Sequence, residues 1–397
     1  MKPCAGGAGP PGAYVKWRLS LLPICDLARQ YQTLKPEIDA AVTGVLAGGH
    51  YIMGPNVKAF EQELGAYLGA SHAIAMNSGT DALHLALRAL QIGPGDEVIT
   101  TAFTFAATSE AIGMVGATPV LVDIDPATFN LRPDQVARAI TDRTRAILPV
   151  HLYGQPADMG PILELATARG LAVVEDCAQS IGSTWSAPGQ PLRKTGTIGT
   201  IGCFSFFPTK NLGAAGDGGM CVTADPALAE RLRMLRSHGW KRKYYQEILG
   251  INSRLDDLQA AILRVKLPHL ERWNLSRRRI AARYDQLLAD IPGVVVPGTL
   301  PDTVPVFHQY TVRVPERDRV AASLKEAGIE TQVYYPYPLH LLPIHAALGN
   351  LEGTFPEAER ACREVLSLPM FPEMTDSDQD GVVAAVKAAL SRPAGVR

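Results

Sequence analysis

The sequence predicts an α/β protein whose larger domain is a mostly parallel sheet covered by helices. Between about residues 56 and 235, short apolar runs alternate with amphipathic segments, the pattern of repeated strand–helix units. The runs are apolar at successive positions, as expected of strands buried on both faces. Beyond about residue 252 the pattern changes to long helices and then a mixed segment, which predicts a smaller α+β C-terminal domain.

The elements of the larger domain follow from the spacing of apolar residues. The segment NVKAFEQELGAYLG places Phe60, Leu64 and Tyr67 on one face of a helix. Asn56 is the predicted N-cap of this helix and Gly69 its predicted end. Further along, HAIAM, DEVITT, TPVLVDI, RAILPVHL and LAVVED predict strands, whereas TDALHLALRAL, FAATSEAIGMVG and residues 159–169 predict helices.

The smaller domain is predicted from the change of pattern after residue 251. LDDLQAAILRVKLPHLERWNLSRRRIAARYDQLL predicts long helices, one of which joins the two domains. QYTVRV, RVAASLKEAGIE and TQVYYP then predict a strand–helix–strand unit. We therefore divide the chain into a large domain over residues 21–251 and a small domain over residues 252–397. The Gly/Pro-rich residues 1–20 are a predicted disordered tail.

Composition and charge exclude several functional classes. The 397 residues include 38 lysines and arginines and 39 aspartates and glutamates, which give a net charge of −1. This balance does not attract nucleic acid or an anionic membrane, and no stretch reaches the roughly 20 apolar residues of a membrane span. The six cysteines form no CxxC pair and have no metal-site spacing with histidine, so we expect no metal and a reducing, cytoplasmic location. Small molecules and a second copy of the chain are the expected partners.

Two candidate ligand-binding features follow predicted strands, at the edge where open parallel sheets bind ligands. Ser78, Gly79 and Thr80 lie between a strand and a helix start, where free N–H groups and a hydroxyl can hold a phosphate. An ordinary helix N-cap is the alternative interpretation. Phe105 follows the next strand, and its ring would either stack on a flat ligand or pack in the core.

Two charged residues near strand ends indicate chemistry. LAVVEDCAQSIG brings Asp176 to the end of an apolar strand, with Gln179 three residues later, and a buried carboxylate needs a positive partner. That partner is either a functional cation or a structural arginine. FSFFPTKNLGAAGDGG then places Lys210 after an aromatic strand, with Ser205 before it and four glycines after it. By itself such a lysine is typical of a solvated turn.

As an ordered set, these residues match the requirements of pyridoxal phosphate. This cofactor needs a lysine for covalent attachment, a carboxylate that keeps the pyridine nitrogen protonated, a phosphate-binding turn and something flat against its ring. Glycines around Lys210 would let the backbone approach the cofactor without a Cβ clash. The sequence therefore predicts an enzyme that uses pyridoxal phosphate.

Nearly the whole chain, from about residue 22 to residue 372, also resembles a known family. The matching stretches include NSGTDALHLALRALQIGPGDEVI, TFAATSEAI, PVLVDIDPATFNL, ILPVHLYGQPADM, EDCAQSIG, FSFFPTKNLGAAGDGG, INSRLDDLQAAILRVKL and SLPMFP. They are similar to the DegT/DnrJ/EryC1/StrS family of nucleotide-sugar aminotransferases. The resemblance implies a fold type I, aspartate-aminotransferase-like architecture, pyridoxal phosphate as cofactor, and a homodimer with shared active sites.

The family pattern implies roles for individual residues. Lys210 would form the Schiff base and act as general acid and base, and Asp176 would pair with the pyridinium nitrogen. Gln179 would hydrogen-bond the ring hydroxyl, and Asn252 would reach the phosphate from the other subunit. The remaining implied contacts are the phosphate ligands Gly79, Thr80 and Ser205, the stacking ring of Phe105, and His340 and Tyr335 near the substrate.

The resemblance also implies a reaction that places an amino group on a sugar. Glutamate would be the amino donor, and the acceptor would be a keto sugar linked to a nucleoside diphosphate, a 3-ketone being favoured over a 4-ketone. The loop SHGWKRKYYQEILG resembles members that act on C3. The cations of this loop, including Lys241 and Arg242, together with Arg236 just before it, would meet the diphosphate, and a solvated basic loop is the alternative.

Two positions depart from the family pattern. Tyr334 stands where many members have the histidine of a His-Tyr-Pro segment, and Cys177 stands where alanine is commoner. The first departure concerns the details of the sugar pocket. An aminotransferase for a cyclitol ketone and a non-catalytic regulator with the same fold are the alternative functions.

Overall fold

A computed structural model describes residues 21–391 of the chain, so the predicted tail of residues 1–20 lies outside the described residues. The α-helices are α1 (Leu27–Gly48), α2 (Pro55–Leu68), α3 (Gly79–Ala89), α4 (Ala107–Met114), α5 (Pro133–Ala139), α6 (Met159–Arg169), α7 (Pro226–Leu235), α8 (Asp257–Lys266), α9 (Leu270–Leu288), α10 (Arg317–Glu326), α11 (Pro356–Glu364) and α12 (Asp376–Ser391). The strands are β1 (His72–Met76), β2 (Glu97–Thr101), β3 (Thr118–Val122), β4 (Thr144–Ile147), β5 (Ala172–Asp176), β6 (Thr184–Trp185), β7 (Arg193–Lys194), β8 (Ile201–Ser205), β9 (Gly219–Thr223), β10 (Trp240–Arg242), β11 (Tyr245–Gln246), β12 (Thr303–Val304), β13 (Tyr310–Arg313) and β14 (Val365–Leu368).

The centre of the larger part is a seven-stranded sheet in the order β1-β9-β8-β5-β4-β2-β3. Strand β9 is antiparallel to both of its neighbours, β1 and β8. Every other neighbouring pair of this sheet is parallel. The carboxyl ends of six strands therefore meet at one edge, and the predicted mostly parallel sheet is confirmed.

The strands are apolar throughout because each one faces two cores. In β1, Ile74 and Met76 pack in a cluster with helices α3, α4 and α7, whereas Ala73 and Ala75 pack in another cluster with α2 and α8. Successive side chains of a strand point to opposite faces of the sheet. Burial on both faces therefore accounts for the apolar runs on which the fold prediction depends.

Helix α2 confirms the predicted end of the first assigned helix and corrects its start. Gly69 ends the helix in the left-handed region at φ 77°, as predicted. The N-cap, however, is Gly54, so the prediction of Asn56 as the cap is wrong. Asn56 lies inside the first turn, where its side chain donates to Asp257 at 2.8 Å and accepts from Arg264 at 2.7 Å. Its amide serves the packing of α2 on α8 instead.

The C-terminal part has its own hydrophobic core, in which β13 pairs antiparallel with β14. The predicted strand–helix–strand unit is wrong in its second strand, since TQVYYP forms only a single bridge, from Gln332 to Ser367. The position beside β13 is taken by β14, whose Leu366 and Leu368 fill the same core. The main-chain carbonyl of Tyr334 instead accepts a hydrogen bond from Tyr153 of the larger part.

Two further contacts join the parts of the chain across the predicted domain division. Leu22 pairs with Ile329, so the first described residues pack on the C-terminal core. Asp123, just after β3, accepts the N–H groups of Ala358 at 2.8 Å and Glu357 at 3.0 Å. A carboxylate in this position caps the start of α11 and holds this helix on the large sheet.

Among residues 21–391, no helix is both long enough and apolar enough to span a membrane.

Candidate active site

The predicted phosphate-binding turn lies where β1 and β8 end beside the start of β9. The register aligns Met76 of β1 and Ser205 of β8 with Gly219 of β9 between them. Gly79, at the start of α3, comes so close to Ser205 that a Cβ on it would lie 2.7 Å from the Cβ of Ser205. A Cβ on Gly219 would likewise collide with the main chain of Ser78. These two glycines are needed for the close approach of backbones.

The start of α3 combines a helix cap with free donors. Ser78 is the N-cap, and its hydroxyl accepts the N–H of Asp81 at 3.1 Å. The capping interpretation therefore applies to Ser78. The N–H groups of Gly79 and Thr80 belong to the first turn and find no acceptor inside the helix. Together with the half-buried Ser205 hydroxyl, they form a concave set of donors suited to an anion.

Asp176 ends β5 as a buried carboxylate. Its Oδ2 accepts the hydroxyl of Thr108 at 2.9 Å, and its Oδ1 accepts the N–H of Ala178 at 3.1 Å. Burial raises the pKa of Asp176, while these two donors and the nearby Lys210 act in the opposite direction. No arginine of the described chain pairs with this carboxylate, so the structural arginine considered for it does not exist among residues 21–391.

Lys210 follows β8 in a turn closed by its own N–H, which donates to Phe207 O at 2.8 Å. Burial lowers the pKa of its side chain to about 8, and the attraction of Asp176 opposes this shift. Half of the amine is therefore uncharged near pH 8, the form that attacks a carbonyl carbon. The interpretation as a solvated turn is wrong, because desolvation is the largest influence on this amine. The glycines that follow do not face an open space: a Cβ on Gly218 would lie 2.9 Å from Leu255.

Glu175, next to Asp176, is buried in a different way. Its carboxylate accepts the N–H groups of Gly196, Ile198 and Gly199 at 2.6–2.8 Å, and His151 Nε2 lies 3.0 Å away. His151 Nδ1 accepts a main-chain N–H at 3.0 Å, so its proton is on Nε2 and points to Glu175. Although His151, Glu175 and Cys177 lie close together, this imidazole has no lone pair left for a metal.

Gln179 and the predicted aromatic contacts surround the same strand end. Gln179 accepts the N–H of Tyr153 at 2.6 Å and donates to the Tyr335 hydroxyl at 3.1 Å. The ring of Phe105 lies 6.0 Å from that of Tyr335 and is tilted by 32°. Phe105 is 58% exposed, so it is not a core residue and has a face free to stack on a ligand. Burial, and then the negative charge of Asp176, raises the pKa of Tyr335, which keeps the phenol protonated.

Two further predicted site residues are His340 and Asn252. His340 is only 2% exposed, its Nε2 lies 3.0 Å from Glu359 Oε1, and its ring packs edge-on against Phe355. Asn252 is exposed, and the hydroxyl of its neighbour Ser253 accepts the N–H of Asn77 at 3.2 Å. Asn252 therefore lies beside the phosphate-binding turn of its own chain, and its predicted role across subunits stays a prediction.

Two of the three cations predicted to bind the diphosphate already pair with acidic residues of the chain. Arg236 is buried and pairs with Glu61 at 2.5 Å, so its inclusion in the diphosphate-binding cluster is wrong. Lys241 pairs with Glu230 at 2.7 Å. Arg242 lies 5.2 Å from the ring centre of Tyr245 and forms no ion pair within the described residues. Arg242 is thus more accessible to a diphosphate than Lys241.

Three side chains that were not predicted from the sequence lie around Asp176 and Lys210. Thr108 holds Asp176, and Asn211, next to Lys210, donates to Asn274 at 2.9 Å. His308 Nδ1 lies 3.2 Å from Asn211 Oδ1. Burial, Lys210 and Arg277 hold the pKa of His308 well below its usual range, so it is neutral. Only the position of Asn211 beside the lysine gave a signal in the sequence.

The arrangement fits pyridoxal phosphate in three respects. The donor turn at Gly79 and Thr80 suits a phosphate, and it is kept open by glycines that no other residue could replace without a clash. Asp176 is a buried anion whose remaining need is a cation, which a pyridinium ring would supply. Lys210 provides an amine without a hydrogen-bond acceptor among the described residues. These residues lie at the carboxyl edge of one sheet.

Comparison with known proteins identifies the family. The family model described as the DegT/DnrJ/EryC1/StrS aminotransferase family matches residues 32–387. The chain belongs to this family. The predicted family, the fold type I architecture and the class of enzyme, an aminotransferase, are therefore confirmed.

Several members of the family are very similar over almost their full length. A "pleiotropic regulatory protein" of Geobacillus stearothermophilus is 53% identical over 92% of this chain and 97% of its own. A "dTDP-3-amino-3,4,6-trideoxy-alpha-D-glucose transaminase" of Streptomyces venezuelae is 48% identical over 92% and 95%. A "UDP-N-acetyl-3-dehydro-alpha-D-glucosamine 3-aminotransferase" of Acidithiobacillus ferrooxidans is 45% identical over 93% and 98%.

Solved structures from the family agree with the fold and the cofactor. DesV of S. venezuelae, in complex with a ketimine intermediate, superposes with a TM-score of 0.91 at 47% identity, over 94% of this chain and all of its own. NtdA of Bacillus subtilis, with bound cofactor PMP, gives a TM-score of 0.87 at 34% identity, over 95% and 87%. The predicted cofactor, pyridoxal phosphate, is confirmed for the family.

The first prediction concerns the attachment of the cofactor. Borohydride reduction of the holoenzyme should leave the cofactor on the peptide that contains Lys210. Lys266 is a matched control, because burial also lowers its pKa to about 8 but its amine donates to Gly213 O at 2.7 Å. Mass spectrometry of the digest decides, and label on Lys266, Lys194 or Lys241 would contradict the assignment. Lys210→Ala should keep some cofactor in the donor turn but lose turnover.

The second prediction separates the two neighbouring carboxylates. Asp176→Asn should keep the fold but lower the rate on the order of 10²-fold or more, because a preorganised charge is lost. Glu175→Gln should instead lower the free energy of unfolding by about 1–3 kcal/mol, because an amide nitrogen would face buried N–H donors. Steady-state kinetics and denaturant unfolding measure the two effects. Near-normal turnover of Asp176→Asn would contradict the proposed role.

Proposed function

We propose that this protein uses pyridoxal phosphate to transfer the amino group of glutamate to the 3-ketone of a sugar linked to a nucleoside diphosphate. The observation that carries the proposal is Asp176, a buried carboxylate with hydrogen-bond donors but no ion pair among residues 21–391. Such a group is costly unless a cation joins it. A protonated pyridine ring beside the amine of Lys210 is the cation that this chemistry would require.

Each of the site residues would have a separate role in the reaction. Pyridoxal phosphate, when bound, supplies an electron sink for the carbon that loses or gains the amino group. Asp176 would hold the ring nitrogen in its charged form. Lys210, with a pKa lowered to about 8 by burial, can both give and accept a proton near neutral pH at the reacting carbon. Gly79, Thr80 and Ser205 would hold the phosphate.

The ring would be held between an aromatic face and the sheet edge. Phe105 has an exposed ring close to Tyr335, which makes it suited to stack on the pyridine. Gln179 has a second amide proton, beyond the one it gives to Tyr335, that could reach the ring hydroxyl. Tyr335 would then form the wall between cofactor and sugar. His340 is buried against Glu359, so we assign it no direct contact with the sugar.

The names of two relatives and the cations of the basic loop support the proposed 3-ketone and nucleoside diphosphate. Two of the similar proteins described above are named for amination at C3, one on a dTDP sugar and one on a UDP sugar. In this chain Arg242 has no anionic partner among the described residues, and Lys241 has only the exposed Glu230. Both would be available to a diphosphate, whose charge-assisted hydrogen bonds would replace a weak surface pair.

A non-catalytic regulator is the second candidate, because one relative at 53% identity is named a pleiotropic regulatory protein. The name describes that protein only. This chain keeps both the amine of Lys210 and the buried acid Asp176, and a regulator would need neither. Bleaching of the yellow holoenzyme by glutamate, with release of 2-oxoglutarate, would separate the two candidates.

The third prediction tests the substrate. The holoenzyme and glutamate are offered a panel of dTDP- and UDP-linked 3-keto and 4-keto sugars, together with a cyclitol ketone, and release of 2-oxoglutarate is followed. We expect the highest kcat/KM with a nucleotide-linked 3-ketone. Lys241→Glu with Arg242→Glu should raise KM for the sugar but not for glutamate. A preference for the 4-ketone or for the cyclitol would contradict the proposed acceptor.

The fourth prediction tests whether active sites are shared in a homodimer. Lys210→Ala and Asn252→Asp chains should each be inactive, the second because a carboxylate would repel the phosphate. If Asn252 acts in the partner's site, mixed dimers contain one site with both wild-type residues, so activity should partly return. Because Ser253 bonds to Asn77 of the same chain, Asn252 could act within its own subunit. In that case the mixture stays inactive although subunits exchange, which would contradict the shared site.

A further inference from the structure

A chain of two hydroxyls leads from the start of α4 to Asp176. Thr108 Oγ1 lies 2.9 Å from Asp176 Oδ2, and Thr104 Oγ1 lies 3.2 Å from Thr108 Oγ1. Both threonines are buried. The N–H of Thr108 also donates to Phe105 O at 3.2 Å, so one turn carries the exposed ring and the hydroxyl that reaches the acid.

The chemistry of the groups fixes the direction of this chain. An ionised carboxylate only accepts hydrogen bonds, so the single hydroxyl proton of Thr108 points to Asp176. Thr108 Oγ1 must then accept the proton of Thr104 in the second contact. Each donation polarises the next one, which strengthens the bond to the carboxylate.

The Thr108 hydroxyl is one of the few groups that stabilise the charged form of Asp176. Burial raises the pKa of Asp176, and the opposing groups are the N–H of Ala178, the Thr108 hydroxyl, Lys210 from the loop after β8 and His151 from the segment after β4. Tyr335 faces the acid as a neutral phenol. Of these groups, only the Ala178 N–H and the Thr108 hydroxyl form hydrogen bonds with the carboxylate.

We propose that Thr108, supported by Thr104, is a positioning residue that keeps Asp176 ionised and thereby keeps the pyridine nitrogen of the cofactor protonated. This inference depends on the proposed function, because it concerns the same cofactor. Without the Thr108 hydroxyl, the carboxylate would bind a proton more strongly. The proton shared with the ring nitrogen would then move toward Asp176, and the ring would become a weaker electron sink.

The test uses holoenzyme loaded with pyridoxal phosphate that carries ¹⁵N in the ring, since the ¹⁵N chemical shift distinguishes pyridinium from neutral pyridine. In Thr108→Val, which keeps the shape but removes the hydroxyl, the proton should move toward the more basic carboxylate, so the ratio of neutral pyridine to pyridinium at pH 7 should rise about 10- to 100-fold. Thr108→Ser should restore the wild-type ratio. Thr100→Val is the matched control, because the buried Thr100 hydroxyl donates to Leu148 O at 2.8 Å and does not touch Asp176.

Each outcome decides the inference. An unchanged pyridinium fraction in Thr108→Val, or the same change in Thr100→Val, would overturn it. If Thr108→Val fails to fold or to bind the cofactor, Thr104→Val decides: it should lower the pyridinium fraction by a smaller amount, and an unchanged fraction would overturn the inference. Failure of the wild-type protein to bind the labelled cofactor would instead contradict the proposed function, so the two failures are distinguishable.

Discussion

A negative charge held inside the protein without an ion pair is the constraint on which the site depends. Removing a carboxylate from water costs several kcal/mol unless other groups compensate. At Asp176 the compensation is incomplete, since a hydroxyl and one N–H face it and the lysine is itself partly neutralised by burial. A ligand that brings a cation to this position binds the folded chain only, so its binding also stabilises the fold. If the cofactor binds as proposed, its affinity and the stability of the fold are linked through this one side chain.

The two adjacent acids show how strand geometry separates structure from chemistry. Successive side chains point to opposite faces, so Glu175 turns to the loop at residues 196–199 while Asp176 turns to the ligand edge. The first is satisfied entirely by protein donors and His151. The second keeps an unmet need for charge. The sequence "ED" contains no sign of this difference, which arises only when the strand is placed in its sheet.

Site residues that directly follow strands could be predicted from the sequence. Contacts that depend on the order of the strands in the sheet could not. Asp176, Lys210 and the turn at Gly79 could be brought together because carboxyl ends of parallel strands share an edge. Thr108 could not be found, since its contact with Asp176 spans 68 residues and requires β4 to lie between β2 and β5. Arg236 was misassigned because charge patterns along a chain do not reveal burial against a carboxylate such as Glu61.

The position of Lys210 in turn depends on the hydrophobic core of the C-terminal part. Asn211, directly after Lys210, donates to Asn274 of α9 and to Val306 O, and lies beside His308. Arg277 of the same helix donates to the carbonyls of residues 307, 308 and 370. The loop that carries the Lys210 amine is therefore held between the large sheet and the C-terminal core. A shift of α9 would displace the amine relative to Asp176, which lies on the sheet alone, so the geometry of the pair requires that both parts of the chain be packed together.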